Sequence, residues 1–493
     1  MVPTSDREWT ELAQRAARAF AAIPNVHSVG VGGRRRDNRP TGEPVLVVLV
    51  SEKLPRERLA SHARVPAVFE GVATDVVQAG RPRLATAPAG ATWGGPYDDD
   101  GGRHRPLRGG SRISGAAMKE FFGTLGFFMR WDLPSPLILA ITTHHTLFGA
   151  AGTEVASLEV GQPKPSHSSW NCCRGVFGDY LTGVRDASMD AAAIVLFGQQ
   201  EYYAQIDELG VVTGTHDVTQ AEANGGSYAV RKRGSGTGQT GGNMHAINLT
   251  STDGTIQNYM SILPNAASSG RPTFADHGDS GAAVVNDAGE LVGLLWGIGD
   301  DPAQIDIGWG YAWPISNVIS RLSGSGGGFD LILEVASTPD EKRISPGPPA
   351  ASGVSAGAPP IVHRLEADLA HIPEGQRLTA LWLKHMDELG QIVTRSKRTA
   401  VLWQRSGGAA LLQCMLRMAH DPRVVFPTQI DGRPIEACVA EVMQLFARHG
   451  SPELQRDLET FRGMVPPLGG RSYDDLLVEL AMPHSAIDLR RGR

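Results

Sequence analysis

Apolar positions recur along this chain with three rhythms in three successive stretches. Near the start, Trp9, Leu12, Ala16 and Phe20 repeat at helical spacing. Ser5 precedes them and Glu8 follows three positions later, a pair that can satisfy a helix's first free N–H groups, so a helix is predicted over 5–22. The rhythm then shortens. Val29-Gly30-Val31-Gly32 reads as a strand, and Arg34-Arg35-Arg36 enters a turn at 37–42 either as a solvated hairpin tip or as a binding patch. Val45 to Val50 is apolar without interruption, which predicts a strand covered on both faces. A short helix at 55–59 and one or two strands between Val68 and Val77 complete a small α/β domain over 1–84.

Residues 85–109 are rich in Ala, Pro, Gly and Asp and read as a linker. From 110 to 322 short apolar runs alternate with turns and little helical period remains, the pattern of an all-β barrel or sandwich. Residues 323–360, with Gly-Ser-Gly-Gly-Gly and then a Pro/Gly/Ala/Ser run, read as a flexible linker. The third rhythm is helical again, over 361–493. Ile435, Cys438, Val442 and Phe446 share a face, and Arg448-His449-Gly450 predicts a stop with a left-handed glycine. Ser451-Pro452 predicts the next start, with Leu454, Leu458 and Phe461 continuing the stripe in a bundle of five or six helices.

Composition narrows the class. The 493 residues are too many for one ordinary domain, and 41% hydrophobic with 20% charged residues describes a soluble globular chain. A net charge of -6 gives no electrostatic case for nucleic acid or an anionic membrane. Cys172, Cys173, Cys414 and Cys438 are too few for a disulfide framework, and the first two are adjacent, which fits a reducing compartment. Charges scattered through residues 1–20 argue against a secretory signal, and no run reaches the roughly 20 apolar residues of a membrane span. A cytoplasmic location is the expectation.

The stretch with the clearest chemistry is Asp276-His277-Gly278-Asp279-Ser280-Gly281-Ala282. It sets a serine among small residues on a glycine turn, followed by two apolar runs, 282–285 and 291–296, which predict a hairpin. A hydroxyl there has no packing role; as a nucleophile it needs a base, an orienting acid and oxyanion donors. The apolar run Leu137 to Ile141 leads into Thr142-Thr143-His144-His145, which offers the base. Asp179, Asp186 and Asp190 are candidates for the acid, and Asp190 directly abuts the apolar run Ala191 to Phe197. Histidine pairs and His-Asp steps in the chain lack a coherent ligand spacing, so no metal is expected, and no cofactor.

These segments resemble the trypsin-like, chymotrypsin-fold serine peptidases over roughly 110–322. The match rests on Ile141 to Leu147, on Asp190 before its strand, on Gly278-Asp279-Ser280-Gly281, and on Val230 to Gly241, which is similar to a Lys-x-Gly…Thr-Gly-x-Thr hairpin of bacterial and viral-type members. It departs at Ala282, where glycine or serine is common. The layout, with Gly123-Thr124-Leu125-Gly126 opening the peptidase part, looks most like plant narrow-leaf type peptidases and their bacterial relatives. The resemblance implies a double β-barrel with His145 as base, Asp190 as acid and Ser280 as nucleophile, and an oxyanion hole from the N–H groups of Gly278 and Ser280. It implies a substrate pocket with Phe274 at its floor and Leu295, Trp296, Gly297 and Gly310 along its walls. With no aspartate at the floor, small or apolar side chains are expected there. Asp279 would organise the turn, and Arg112-Ile113-Ser114-Gly115 resembles a zymogen processing site.

The expectation is thus a multidomain intracellular serine endopeptidase acting on proteins or peptides. Its N-terminal or helical domain would engage a protein partner or a second copy. A non-catalytic module of the same fold, and an esterase with the same triad, are the alternatives.

Overall fold

The computed structural model describes residues 3–36, 39–85, 103–118, 121–131, 137–149, 158–168, 171–196, 200–265, 273–300, 308–325, 331–344, 368–394 and, with interruptions, 399–481. Of the linker expected at 85–109, residues 86–102, including Asp98 to Asp100, lie outside that description, as do the side chains of Cys172 and Cys173, while Leu107–Gly109 is no linker but a strand running parallel to Glu201–Ile206.

The first helix, Asp6–Phe20, forms as its pattern predicts. Ser5 accepts from the Glu8 N–H while the Glu8 carboxylate takes the Ser5 N–H, and Trp9, Leu12, Ala16 and Phe20 are buried. They pack on Val26, Val29, Val31, Leu46, Val48 and Val50. The strand Val26–Arg36 pairs antiparallel with Arg39–Val50, which in turn runs parallel to Val72–Gln78. Side chains alternate across a strand. The even residues 46, 48 and 50 therefore meet the helix, while Val45, Val47 and Leu49 join the largest core of the molecule. Both faces of this run are covered.

What covers the second face differs from the expectation of a separate domain at 1–84. Val26–Arg36 also pairs with Gly238–Ser251, aligning Val31 with Ile247 and Ser28 with Ser251. The N-terminal strands thus extend one 12-stranded sheet. Within that sheet six strands close on themselves: Ala229–Gly234, Ala283–Val285, Glu290–Asp300, Gly310–Pro314, Gln257–Pro264 and Gly238–Ser251, which returns to the first. This closed barrel carries Ser280.

An 8-stranded sheet carries the histidine. Leu137–Thr142 lies between Phe127–Trp131 and Met189–Leu196, and its edge is extended by Leu331–Leu333. Lys342–Ile344 pairs with Glu201–Ile206, so residues 331–344, expected within a flexible linker, belong to the β-body. Glu334 is buried there between the Tyr202 hydroxyl and Arg343.

After residue 368 the chain is largely helical, with Pro373–Thr394, Ile435–His449, Pro452–Met464 and Tyr473–Leu480 and a small pairing of Gln429–Ile430 with Arg433–Pro434. Ser451 caps its helix through the Leu454 N–H, with Pro452 at the first position. Gly450 does not turn left-handed: its φ is -90 and its ψ 170. Glycine is needed there for close approach, since a side chain would strike Leu454 and the Phe446 carbonyl. Among the described residues, no helix is long and apolar enough to cross a membrane.

Candidate active site

Register assembles the site. Leu137–Thr142 and Met189–Leu196 pair with Thr142 opposite Ala192, which sets Asp190 just beyond the strand end, where the chain turns into the short helix His144–Phe148. The His145 N–H donates to Asp190 Oδ1 at 3.1 Å, and its ring Nδ1 lies 2.7 Å from Asp190 Oδ2. Its Nε2 lies 2.8 Å from Ser280 Oγ, across the boundary between the two sheets. In this arrangement Nδ1–H donates to the carboxylate and Ser280 Oγ–H donates to Nε2. Burial pushes the Asp190 carboxyl upward, but the charge and hydrogen bonds of His145, with Arg185, hold it below the usual aspartate value. A charged acceptor is therefore kept behind the imidazole.

The other candidates go elsewhere. Asp186 is exposed at the end of the strand Asn171–Asp186 and pairs with Arg321. Asp179 is buried on Asn171–Asp186 opposite Glu159. His144 stacks on Phe148, ring centroids 4.6 Å apart.

The serine turn is held from beneath by a buried ion pair that sequence reasoning missed. Lys232 Nζ lies 2.8 Å from Asp279 Oδ2, and both side chains are 0% exposed. Asp279 also accepts from the N–H groups of Gly236, Thr237 and Asp276 and from the Thr237 hydroxyl. The hairpin at 230–241 is therefore the cradle of Asp279, and its lysine was the available signal. Burial pulls the Lys232 ammonium below its usual value, against the pull of Asp279. Asp279 thus has an internal cation as partner. Ile113, which follows Arg112 in the segment that resembles a processing site, is buried in the strand Arg112–Gly115.

Glycines are required at two points of the turn. Gly278 has a φ of +92 and faces Phe122; Gly281 has a φ of +90, and a side chain there would strike the Thr124 carbonyl and the Thr142 hydroxyl. Ala282 is buried just before the strand Ala283–Val285, where its N–H bonds the Asp279 carbonyl and its carbonyl takes the Leu295 N–H. The departure from pattern at 282 thus falls on the residue that closes the turn, past the two left-handed glycines.

The expected pocket residues separate. Phe274 is fully buried against Gly242 and Gly310, and a side chain at Gly310 would meet Phe274 and Leu295. Trp296 does not line that space with its ring, which stacks on Trp313 at 5.1 Å in the main core; it presents its carbonyl instead. Gly297 pairs through its backbone with Leu84. That neighbour comes from the N-terminal region, and nothing in Arg81-Pro82-Arg83-Leu84-Ala85 signalled it.

No protein-family model matches the chain, and no curated protein matches it either. Among solved structures it is similar to a chymotrypsin of Cellulomonas bogoriensis, at 15% identity and a TM-score of 0.31, over 47% of this chain and 99% of that one. It is also similar to a glutamic acid specific serine protease, at 16% identity and a TM-score of 0.31, over 46% of this chain and 100% of that one. The HtrA-type protease AlgW matches at 16% identity and a TM-score of 0.25, over 41% of this chain and 52% of that one. Likeness at this level says nothing about chemistry.

Proposed function

We propose that this chain is a serine endopeptidase of the trypsin-like kind. The observation that carries the reading is the unbroken relay Asp190–His145–Ser280, with contacts of 2.7 and 2.8 Å, beside a turn whose Gly278 N–H donates to a peptide carbonyl. Ser280 Oγ attacks a substrate carbonyl as His145 Nε2 takes its proton. His145 then protonates the leaving amine, and Asp190 holds the imidazole in the productive tautomer throughout. The N–H groups of Gly278 and Ser280 receive the oxyanion, each such donor being worth about 3 kcal/mol. The Lys232–Asp279 pair keeps that turn in shape, so no freed N-terminus is required to form it. With Phe274 filling the floor between glycines, the pocket suits a small side chain such as alanine.

The test is turnover of an alanine-ending peptide library with fluorophosphonate labelling. Ser280→Ala should lower kcat on the order of 10⁶-fold and lose the label. A folded chain that takes no label and cuts no peptide, as wild type and as the Ala85→Glu variant, would refute the reading.

A further inference from the structure

The cleft beside Ser280 is filled by the chain's own backbone. Arg81–Leu84 lies antiparallel along the end of Glu290–Asp300, pairing Leu84 with Gly297, Arg83 with Ile298 and Pro82 with Gly299. Ala85 follows, with its N–H toward the Trp296 carbonyl at 3.3 Å and its own carbonyl accepting from Gly278 N–H at 2.7 Å. The same Trp296 carbonyl lies 3.3 Å from Ser280 Oγ. Ala85 is 0% exposed and shares an apolar cluster with Phe274, Leu295 and Ile298. Ser280 itself is 0% exposed. A peptide held as an added strand is positioned by main-chain hydrogen bonds and selected by the pocket its last side chain enters. Residues 81–85 satisfy both conditions: the strand ends on a small residue, at a pocket that Phe274 leaves small, with its carbonyl on the proposed oxyanion donor.

We propose that the protein cleaves itself after Ala85. The step rests on the peptidase reading and uses its groups. Ser280 Oγ bonds to the Ala85 carbonyl carbon and its proton passes to His145 Nε2. The C–N bond following Ala85 breaks, and that proton leaves on the new amine of residue 86. One water then hydrolyses the ester, giving an Ala85 carboxylate and restoring Ser280. The products are 1–85 and 86–493. The first stays in place after the cut, because Val26–Arg36 remains paired with Gly238–Ser251 and the first helix remains packed on its sheet.

Intact-mass spectrometry of the purified full chain under denaturing conditions reads the outcome. Wild type should resolve into 1–85 and 86–493, at a rate independent of protein concentration, and Ser280→Ala should stay whole. Native chromatography should still carry both pieces as one species. The variant Ala85→Glu sets a carboxylate in the apolar pocket and should empty the cleft, stopping the cut while Ser280 takes a fluorophosphonate. A wild-type chain that stays whole, alongside an Ala85→Glu chain that labels, overturns self-cleavage and leaves the peptidase reading standing. A whole wild-type chain with a folded but unlabelled Ala85→Glu chain overturns both. Cleavage that persists in Ser280→Ala assigns the cut to another agent and also overturns the proposal.

Discussion

The segment before residue 86 and the helices after residue 368 both open on an amphipathic helix, yet they are built into the molecule on different terms. The first has strands, and a strand leaves its backbone N–H and C=O groups unpaired along each edge until a neighbour supplies them. Val26–Arg36 finds that neighbour in Gly238–Ser251, some 200 residues on, and the run from Val45 to Val50 then has a core to bury its second face. The helices satisfy their backbones internally and need only one covered face. They cover it with one another: their two apolar clusters draw on residues between 389 and 476. Backbone demand, more than hydrophobicity, separates a segment sewn into the site from one that packs around itself.

Truncation from either end tests this contrast with the largest effect. Removing 1–85 takes Val45, Val47 and Leu49 out of the main core. At about 1.5 to 3 kcal/mol per buried side chain that costs roughly 5 to 9 kcal/mol, comparable to the roughly 5 to 15 kcal/mol that holds a domain folded. It also opens the edge of Gly238–Ser251. A chain starting at 86 should be insoluble or fail to label at Ser280. A chain ending at 344, the last residue of the strand Lys342–Ile344, should label as fast as the full chain when both carry Ala85→Glu. Equal behaviour of the two truncations, measured by soluble yield and labelling rate, would break the comparison.

The parts of this arrangement that were legible in sequence share a reason. His145, Asp190 and Ser280 each stand at a strand end or turn, where polar residues interrupt apolar runs, and the structure brings them within hydrogen-bond reach. The unbroken run at 45–50 showed that both faces are covered. It could not show by what, since pairing with Gly238–Ser251 leaves no local mark. Arg81 to Ala85 act through main-chain groups that any residue carries, so their place in the cleft has no signature in residue type. Leu331 to Leu333 were too few to outweigh the glycines before them. Lys232 stood inside a recognised hairpin, but its meaning depends on a carboxylate 47 residues later in the chain.

The serine turn is reached from one side by the N-terminal segment, through Ala85 and Gly278, and from beneath by the barrel, through Lys232 and Asp279. Lys232→Met decides which of the two holds it. Breaking a buried pair leaves an uncompensated charge and costs about 3 to 5 kcal/mol. The variant should melt well below wild type and lose Ser280 labelling. Lys232→Met combined with Asp279→Asn removes both charges and should recover most of the melting temperature. A single variant that melts and labels like wild type would give the N-terminal segment the larger share in ordering the turn.

The smallest effect distinguishes the two ends by acid. His27, on Val26–Arg36, is held down to about 4 by burial, against the pull of its bond to the Ala79 carbonyl, with Arg81 adding to the depression. His245, on the partner strand, is held down to about 3 by burial and by Arg35. Both values lie below the ordinary 6.5, so below that pH the unfolded chain binds protons that the folded chain refuses. Their contribution is complete above pH 6.5 and shrinks as pH falls toward 4 and 3. By pH 5 each histidine should have cost about 2 kcal/mol, at 1.36 kcal/mol per pH unit. In the helical part the lowered groups are carboxylates, which act in a more acid window: Asp457, bonded to His385 and Lys384, and Glu453, bonded to Lys384. Their contribution persists down to the ordinary carboxylate range and fades only below it. Hydrogen exchange, corrected for its intrinsic pH dependence, should therefore show 26–50 and 238–251 losing protection between pH 7 and 5 while 435–464 keeps it. His245→Asn, which removes one of the two refused protons, should roughly halve the loss in the strands. If strands and helices lose protection in step over that range, the joint between the N-terminal strands and the barrel is not where acid acts.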